Sequence, residues 1–418
     1  MGAIELIDWN RKKYWASAAL SFWISRIARE RRDPLCWIFG AWHGGKYDDN
    51  SRYLFEYVNH NFPTIEAYWL SDDSDIIREV RSHGYYAELT SSPMGIALQK
   101  RAGFAFYTNG IDDFSYKPKM TGAEIVALWH GAIGQKNTWH MNDHSTGFIR
   151  WLKSVKSHLF EWVYRDFTCA VSSYCSNLKE QAFLIKPGTI HITGQPRNDR
   201  LLQRAREERS SDTYTILYMP THGLGREKLI EEAVISFCTE PMWSRMLVEN
   251  NARIVVKLHY LSEVDANLGN DCVSILRGNT QQSTQDILAE ADMLITDYSS
   301  CAIDYALIGR PVLLYTPDIV EYTKQQDIGS DWLNLYMKAG IDDILDLFGM
   351  IEAQISGRTC YMRVTEWINE KYLDKETLSA DPDNPFCAST IKAIVEQYPL
   401  LSDALSITHD IGSSKHSA

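Results

Sequence analysis

Residues 293–296 read Met-Leu-Ile-Thr and residues 312–315 read Val-Leu-Leu-Tyr, two runs with almost no polar face. A strand without a polar face must be covered on both sides, which an open antiparallel sheet does not provide. Similar β-rich runs recur between longer helical segments. In the first half they fall at Cys36–Phe39, Ile65–Leu70, Phe104–Thr108, Ile125–Trp129, Thr168–Val171 and Thr189–Ile192. In the second half they fall at Thr215–Tyr218, Ile254–Leu258, Val273–Leu276, Met293–Thr296 and Pro311–Tyr315. Strand–helix alternation at this spacing predicts parallel sheets joined by right-handed crossovers. A polar stretch, Gln203–Thr213 (QRAREERSSDT), reads as a linker between the two series. At 418 residues the chain exceeds one ordinary core, so two Rossmann-like α/β domains facing a cleft are expected. The expected division is 1–34, a basic helix; 35–205 and 206–375, the two domains; and 376–418, a C-terminal helix and disordered tail.

Charge and cysteine usage narrow the function classes. A net charge of −12 argues against broad nucleic-acid binding, which depends on phosphate neutralisation. The eight cysteines form no C-x-x-C pair and several lie in apolar runs, as buried thiols in a reducing compartment do. His140 and His144 flank MND rather than the glutamate of a zinc-binding H-E-x-x-H, so a polar loop or helix face is the plainer reading. Asp112-Asp113 reads as a solvated loop pair rather than a metal site.

The N-terminus departs from the acidic average. Residues Arg11–Arg32 carry seven basic residues against Glu30 alone. Their apolar centre, Tyr14–Ile24, is too short to span a bilayer. Glu5, Asp8 and the arginines behind disfavour a secretory signal. Two readings stand: an amphipathic helix on an anionic membrane surface, or a helix packed on the body of the protein.

In open α/β sheets, ligands bind beyond the carboxyl ends of the strands. The polar residues there are His130-Gly131 after Ile125–Trp129, His259 after Ile254–Leu258, and Met219-Pro220-Thr221-His222 after Thr215–Tyr218. Asp297-Tyr298-Ser299-Ser300 follows Met293–Thr296 and opens a helix, with Asp304 one turn in. One strand-end histidine is usually structural, but one in each domain can meet on a single substrate. The serines read as a helix cap and, equally, as donors to a phosphate. Asp297, facing a phosphate, would repel it, so it is better suited to orienting neighbours or accepting ligand hydroxyl protons.

These motifs in this order resemble the CDP-glycerol glycerophosphotransferase family of teichoic acid and capsule polymer synthesis. They are Tyr47-x-Asp49-Asn50-Ser51, Trp129-His130-Gly131, Gly194-x-Pro196-Arg197-Asn198-Asp199, Tyr218-x-Pro220-Thr221, Ile295-Thr296-Asp297-Tyr298-Ser299-Ser300 with Asp304-Tyr305, and Tyr315-x-x-Asp318 with Tyr322. The resemblance covers roughly residues 36 to 325. It implies a GT-B-like fold and transfer of glycerol phosphate, or ribitol phosphate, from a CDP-alditol to an acceptor hydroxyl, with release of CMP. His130 then matches the proposed base, His259 a donor-phosphate histidine, and Ser299 and Ser300 the residues at the donor pyrophosphate. Thr221, Lys257, Arg197, Asn198 and Asp297 are expected on the donor side, with Gly131, Lys136 and Asp304 in support. The family's Thr-Pro and two lysines after W-H-G become Ala132-Ile133-Gly134-Gln135-Lys136, and the proline usual after the second histidine is Tyr260. These departures bear on acceptor and alditol preference.

No cofactor is required, and a divalent ion riding on the donor is compatible with the motifs. The expected partners are a CDP-glycerol or CDP-ribitol donor, a lipid-linked glycan or polymer acceptor and an anionic membrane surface, with no nucleic acid. The expected location is cytoplasmic, at the inner face of the cell membrane. A GT-B glycosyltransferase using a nucleotide sugar is the rival enzyme, and a phosphopolymer-binding protein the non-enzymatic one.

Overall fold

A computed structural model describes residues 32–114, 122–138, 140–141, 145–160, 166–185, 188–208, 211–258, 262, 264–276, 282–374, 381–402 and 405. Two parallel sheets organise the chain. The first contains β1 (Asp33–Gly40), β2 (Glu66–Ser71), β3 (Ala87–Leu89), β4 (Ala102–Tyr107), β5 (Glu124–Ala127), β6 (Phe167–Ala170) and β7 (Ile190–Ile192), in the order β3-β2-β1-β4-β5-β6-β7. The second contains β8 (Tyr214–Met219), β9 (Ala252–Lys257), β10 (Val273–Leu276), β11 (Met293–Thr296), β12 (Val312–Tyr315) and β13 (Gly340–Ile341), in the order β10-β9-β8-β11-β12-β13. The strand pairs are parallel; Phe39 faces Phe106 across β1 and β4, and Ile295 faces Tyr218 across β11 and β8.

The apolar runs become strands because helices cover both faces. All six residues of β4 and all four of β11 and β12 are buried. On one face of the first sheet, Trp37, Phe39 and Phe106 pack with helix Asp49–Asn61, the Phe39 and Phe106 rings stacked 4.4 Å apart. Another cluster runs from one domain into the other. It joins Trp129, Ile133 and Phe183 to Leu217, Leu288, Tyr298, Tyr305 and Trp332, so the domains share a dry apolar contact below the cleft. Burial of this kind stabilises by about 25 cal/mol per Å².

The structure departs from the sequence reading at four places. The edge strands β3 and β13 were not anticipated; at three and two residues they are too short to show a period. Gln203–Arg206, read as linker, is the last turn of helix Arg197–Arg206. The C-terminal helix, Pro385–Gln397, returns to the first domain: Cys387, Ile391 and Ile394 join its core, and the Asp199 carboxylate accepts from the Phe386 and Cys387 N–H groups at 2.9 and 2.8 Å. Asp113, read as solvated, is fully buried. The eight cysteines are free thiols. Among the described residues no helix is long and apolar enough to cross a membrane. The expected helix within Arg11–Arg32 lies, but for Arg32, outside the described residues, as do His144 and the tail from His409.

Candidate active site

A cavity of about 870 Å³ opens between the carboxyl ends of the two sheets. The first domain contributes His43, Asn109 and the loop Trp129–Lys136; the second contributes Met219–His222, Lys257, Leu258 and Tyr298–Ser300. The ionisable lining groups include His43, His130, Lys136, His222 and Lys257, and no Asp or Glu lines the cavity among the described residues. In a chain of net charge −12, such a lining selects for an anion.

His130 sits three residues beyond β5. Trp129 adopts φ +65°, a left-handed conformation that costs a bulky residue free energy and persists only when held. Asn50 Nδ2 donates to the Trp129 carbonyl at 2.6 Å, and Arg197 Nη1 donates to the His130 carbonyl at 2.8 Å. The imidazole stacks on the Trp129 ring with centroids 4.7 Å apart. Solvent reaches the ring through the cavity, yet the surrounding walls desolvate it and lower its pKa from the ordinary 6.5. Arg197 and Lys179 add to that lowering; Asp49 and a hydrogen bond with the Thr108 backbone oppose it. Burial thereby favours the neutral imidazole.

Gly131 has a steric reason for lacking a side chain. A Cβ there would stand 3.1 Å from Ser300 Oγ, across the domain boundary. From this point the loop runs along the second domain. Gln135 Nε2 donates to the Ser299 carbonyl at 2.8 Å, and the Gly329 N–H donates to the Gln135 carbonyl at 3.0 Å. Burial lowers the pKa of Lys136, with nearby Asp297 opposing. Burial likewise lowers that of Lys257.

The second wall rests on Asp297 and Arg226. Asp297 accepts from Thr221 Oγ1 at 2.6 Å and from Arg226 Nη1 at 2.6 Å. Arg226 Nε donates to Asp318 at 2.6 Å, and its guanidinium lies 4.9 Å from the Tyr298 ring centre, where Tyr298 stacks on Tyr322 at 3.6 Å. Asp297 therefore orients neighbours instead of facing the cavity. Of the serines, Ser299 Oγ accepts from Cys301 N at a long 3.4 Å, while Ser300 makes no side-chain cap bond and faces Gly131.

Thr221, Lys257, Ser299, Ser300, Gly131 and Lys136 thus share the cavity with His130. Three expected donor-side residues do not: Asp297, turned to Thr221 and Arg226, and Arg197 and Asn198. Arg197 and Asn198 are buried behind the first wall. Arg197 is held by Asp49 at 2.9 Å and Asp304 at 2.6 Å, and Asn198 Nδ2 donates to Asp304 at 2.9 Å. A guanidinium shared between two buried carboxylates and the His130 carbonyl is turned away from any phosphate. Asp304 also accepts from Gln195 at 2.9 Å and so ties the loop before helix Arg197–Arg206 to the second domain. His259 and Tyr260 lie outside the described residues.

The sequence reading missed His43, Asn109 and Arg226. For His43 a signal existed: Trp-His-Gly occurs twice, at 42–44 and at 129–131. Nothing local marks Arg226, whose partners lie 71 and 92 residues away. Among the described residues no group of three or more His, Cys, Asp or Glu side chains could hold a metal ion.

A family model described as CDP-glycerol:poly(glycerophosphate) glycerophosphotransferase matches residues 24–372. The chain is 24% identical over 302 residues to a teichoic acid poly(glycerol phosphate) polymerase of Bacillus subtilis (strain 168), covering 68% of this chain and 39% of the relative. It is 22% identical over 302 residues to a teichoic acid glycerol-phosphate transferase of Staphylococcus aureus (strain NCTC 8325 / PS 47), covering 68% and 74%. The solved structure of the wall teichoic acid polymerase TagF matches with a TM-score of 0.65 at 18% identity over 96% of each chain. At that identity the likeness shows the shared fold. The chain spans about two fifths of the B. subtilis polymerase.

Proposed function

Because the chain belongs to the CDP-glycerol:poly(glycerophosphate) glycerophosphotransferase family, we propose that it transfers glycerol phosphate from CDP-glycerol to an acceptor hydroxyl in teichoic acid synthesis. The observation that carries the reading is a cavity with an imidazole of lowered pKa on one wall, hydroxyls, an imidazole and an ammonium on the other, and no lining carboxylate among the described residues. The acceptor hydroxyl gives its proton to His130 as its oxygen attacks the β-phosphorus. The new P–O bond forms there, the bond to the bridging oxygen breaks, and CMP departs with that oxygen. Charge on the phosphates is met by Ser299, Ser300, Thr221, His222 and Lys257, since such transfers depend mainly on positioning and electrostatic stabilisation. Burial suits Lys257 to this, because a desolvated cation gains most from an anion.

The test is incubation with CDP-glycerol, CDP-ribitol and polyol phosphate acceptors, followed by mass analysis. CMP and an acceptor heavier by one glycerol phosphate support the reading. Preference for CDP-ribitol changes the alditol only, whereas a nucleoside diphosphate with a sugar on the acceptor overturns it.

We further propose that the enzyme works at a lipid surface, where lipid-linked acceptors are presented. Helix Gly147–Phe160 exposes Phe148, Ile149, Trp151 and Leu152 beside Arg150 and Lys153. Apolar side chains among cations suit an anionic interface. Sedimentation with anionic liposomes tests this: Trp151→Glu should weaken pelleting, and an unchanged pellet would count against it.

A further inference from the structure

We propose that the crevice at the ends of β1 and β4 is a separate anion subsite, which takes a phosphate ester carried by the acceptor and has His43 as its principal donor. The proposal rests on the reading above, in which the donor diphosphate occupies the opposite wall.

Topology supplies the place. In the first sheet β2 and β3 lie to one side of β1, and β4 to β7 to the other. The crevice between β1 and β4 is therefore the switch point at which doubly wound sheets bind ligands. His130, at the end of β5, stands one strand away. Trp42-His43-Gly44 follows β1 and Asn109 follows β4, and both His43 and Asn109 line the cavity.

The crevice is built at some cost. Trp42 and His43 lie at φ +52° and +55°, where glycine or asparagine is the favoured residue. They are held by Asp113, whose buried carboxylate accepts from the N–H groups of His43 at 2.7 Å and of Thr108 and Asn109 at 2.8 Å each. Asn109 Oδ1 accepts from Trp42 N at 3.1 Å, and the residue lines the cavity. A large aromatic and an imidazole, kept in a conformation that disfavours them, are retained for what they face.

Charge identifies the ligand. Lys46 Nζ lies 4.9 Å from the Trp42 ring centre. The near wall thus adds an imidazole and an amide, with an ammonium behind them at Trp42, to donors already sufficient for a diphosphate. The Trp42 and His130 rings are 6.4 Å apart, so the crevice opens beside the imidazole proposed to take the acceptor's proton. Lys46 occupies one side of the indole, so the subsite favours an anion over a stacked sugar.

The test is calorimetric titration of the full chain with sn-glycerol 3-phosphate, alone and with saturating CMP. His43→Asn removes the imidazole while keeping a residue that accepts left-handed φ, and His43→Gly serves as a second variant; circular dichroism checks that both fold. Wild-type protein should bind both ligands at once. Either variant should weaken glycerol phosphate by about tenfold or more, the loss of a charge-assisted hydrogen bond, and leave CMP within about twofold. No binding of glycerol phosphate, its displacement by CMP, or unchanged affinity in both folded variants would overturn the subsite. Failure to bind CMP would defeat the functional reading, yet a loss of glycerol phosphate affinity on substituting His43 would still support the subsite.

Discussion

Each wall of the cleft is anchored by a buried arginine, and the two are wired differently. Arg226 is held by Thr221, Asp297 and Asp318, all within the second domain. Arg197 joins Asp49 and the His130 carbonyl in the first domain to Asp304 in the second. The arginine of the proposed phosphate-facing wall is therefore held within one domain, whereas the placement of His130, the proposed base, draws on both. This division fits the chemistry. Stabilising charge tolerates several donors of modest precision, but proton transfer needs one imidazole within hydrogen-bond reach of one hydroxyl.

The contrast can be broken most severely at the base. His130→Ala should lower kcat by about 10²–10⁴-fold and leave CMP affinity nearly unchanged; retention of more than a tenth of the wild-type kcat would remove the residue from that role. Arg197→Met should come next, costing about 3–5 kcal/mol in urea denaturation because Asp49 and Asp304 are left buried without their partner. Arg226→Met should cost stability on a similar scale, since Asp297 and Asp318 lose their partner. It should also weaken CMP binding, which Arg197→Met should leave nearly unchanged; equal CMP affinities in the two variants would erase the difference between the walls.

A smaller effect is expected where the walls touch. Gly131→Ala places a methyl against Ser300, an overpacking of about 1–3 kcal/mol. Ser300→Ala should cost ~1–3 kcal/mol in kcat/KM through a lost donor. In the double variant part of the Gly131 penalty should disappear, and strict additivity would mean that the contact is relieved elsewhere. The mildest test is pH. Burial lowers the His130 pKa, so the neutral base persists below pH 6.5 and kcat/KM should fall only further to the acid side. A half-maximal point at or above pH 7 would contradict this assignment.

Much of the architecture is readable in the chain because strand burial is local information. Met293–Thr296 and Val273–Leu276 were predicted to the residue, since apolar runs bounded by polar ends leave little choice. The order of strand-end motifs likewise pointed to the family, and the His130 and Ser299-Ser300 positions it singled out line one cavity. Gly131 could be read as a point of close approach, although not that Ser300 is what approaches.

Only the tertiary structure decided which charged residues face the cavity. Arg197 and Lys257 look equally suited to a phosphate in the sequence; one is locked between carboxylates 148 and 107 residues away, while the other lines the cavity. Asp113 has the local sequence of a solvated loop acid and yet is the buried clamp of the β1–β4 crevice. The physical reason is the same in each case. Periodicity records whether a position is covered, whereas the fate of a charge depends on which distant groups share its burial, and those are brought together by the packing of the two domains.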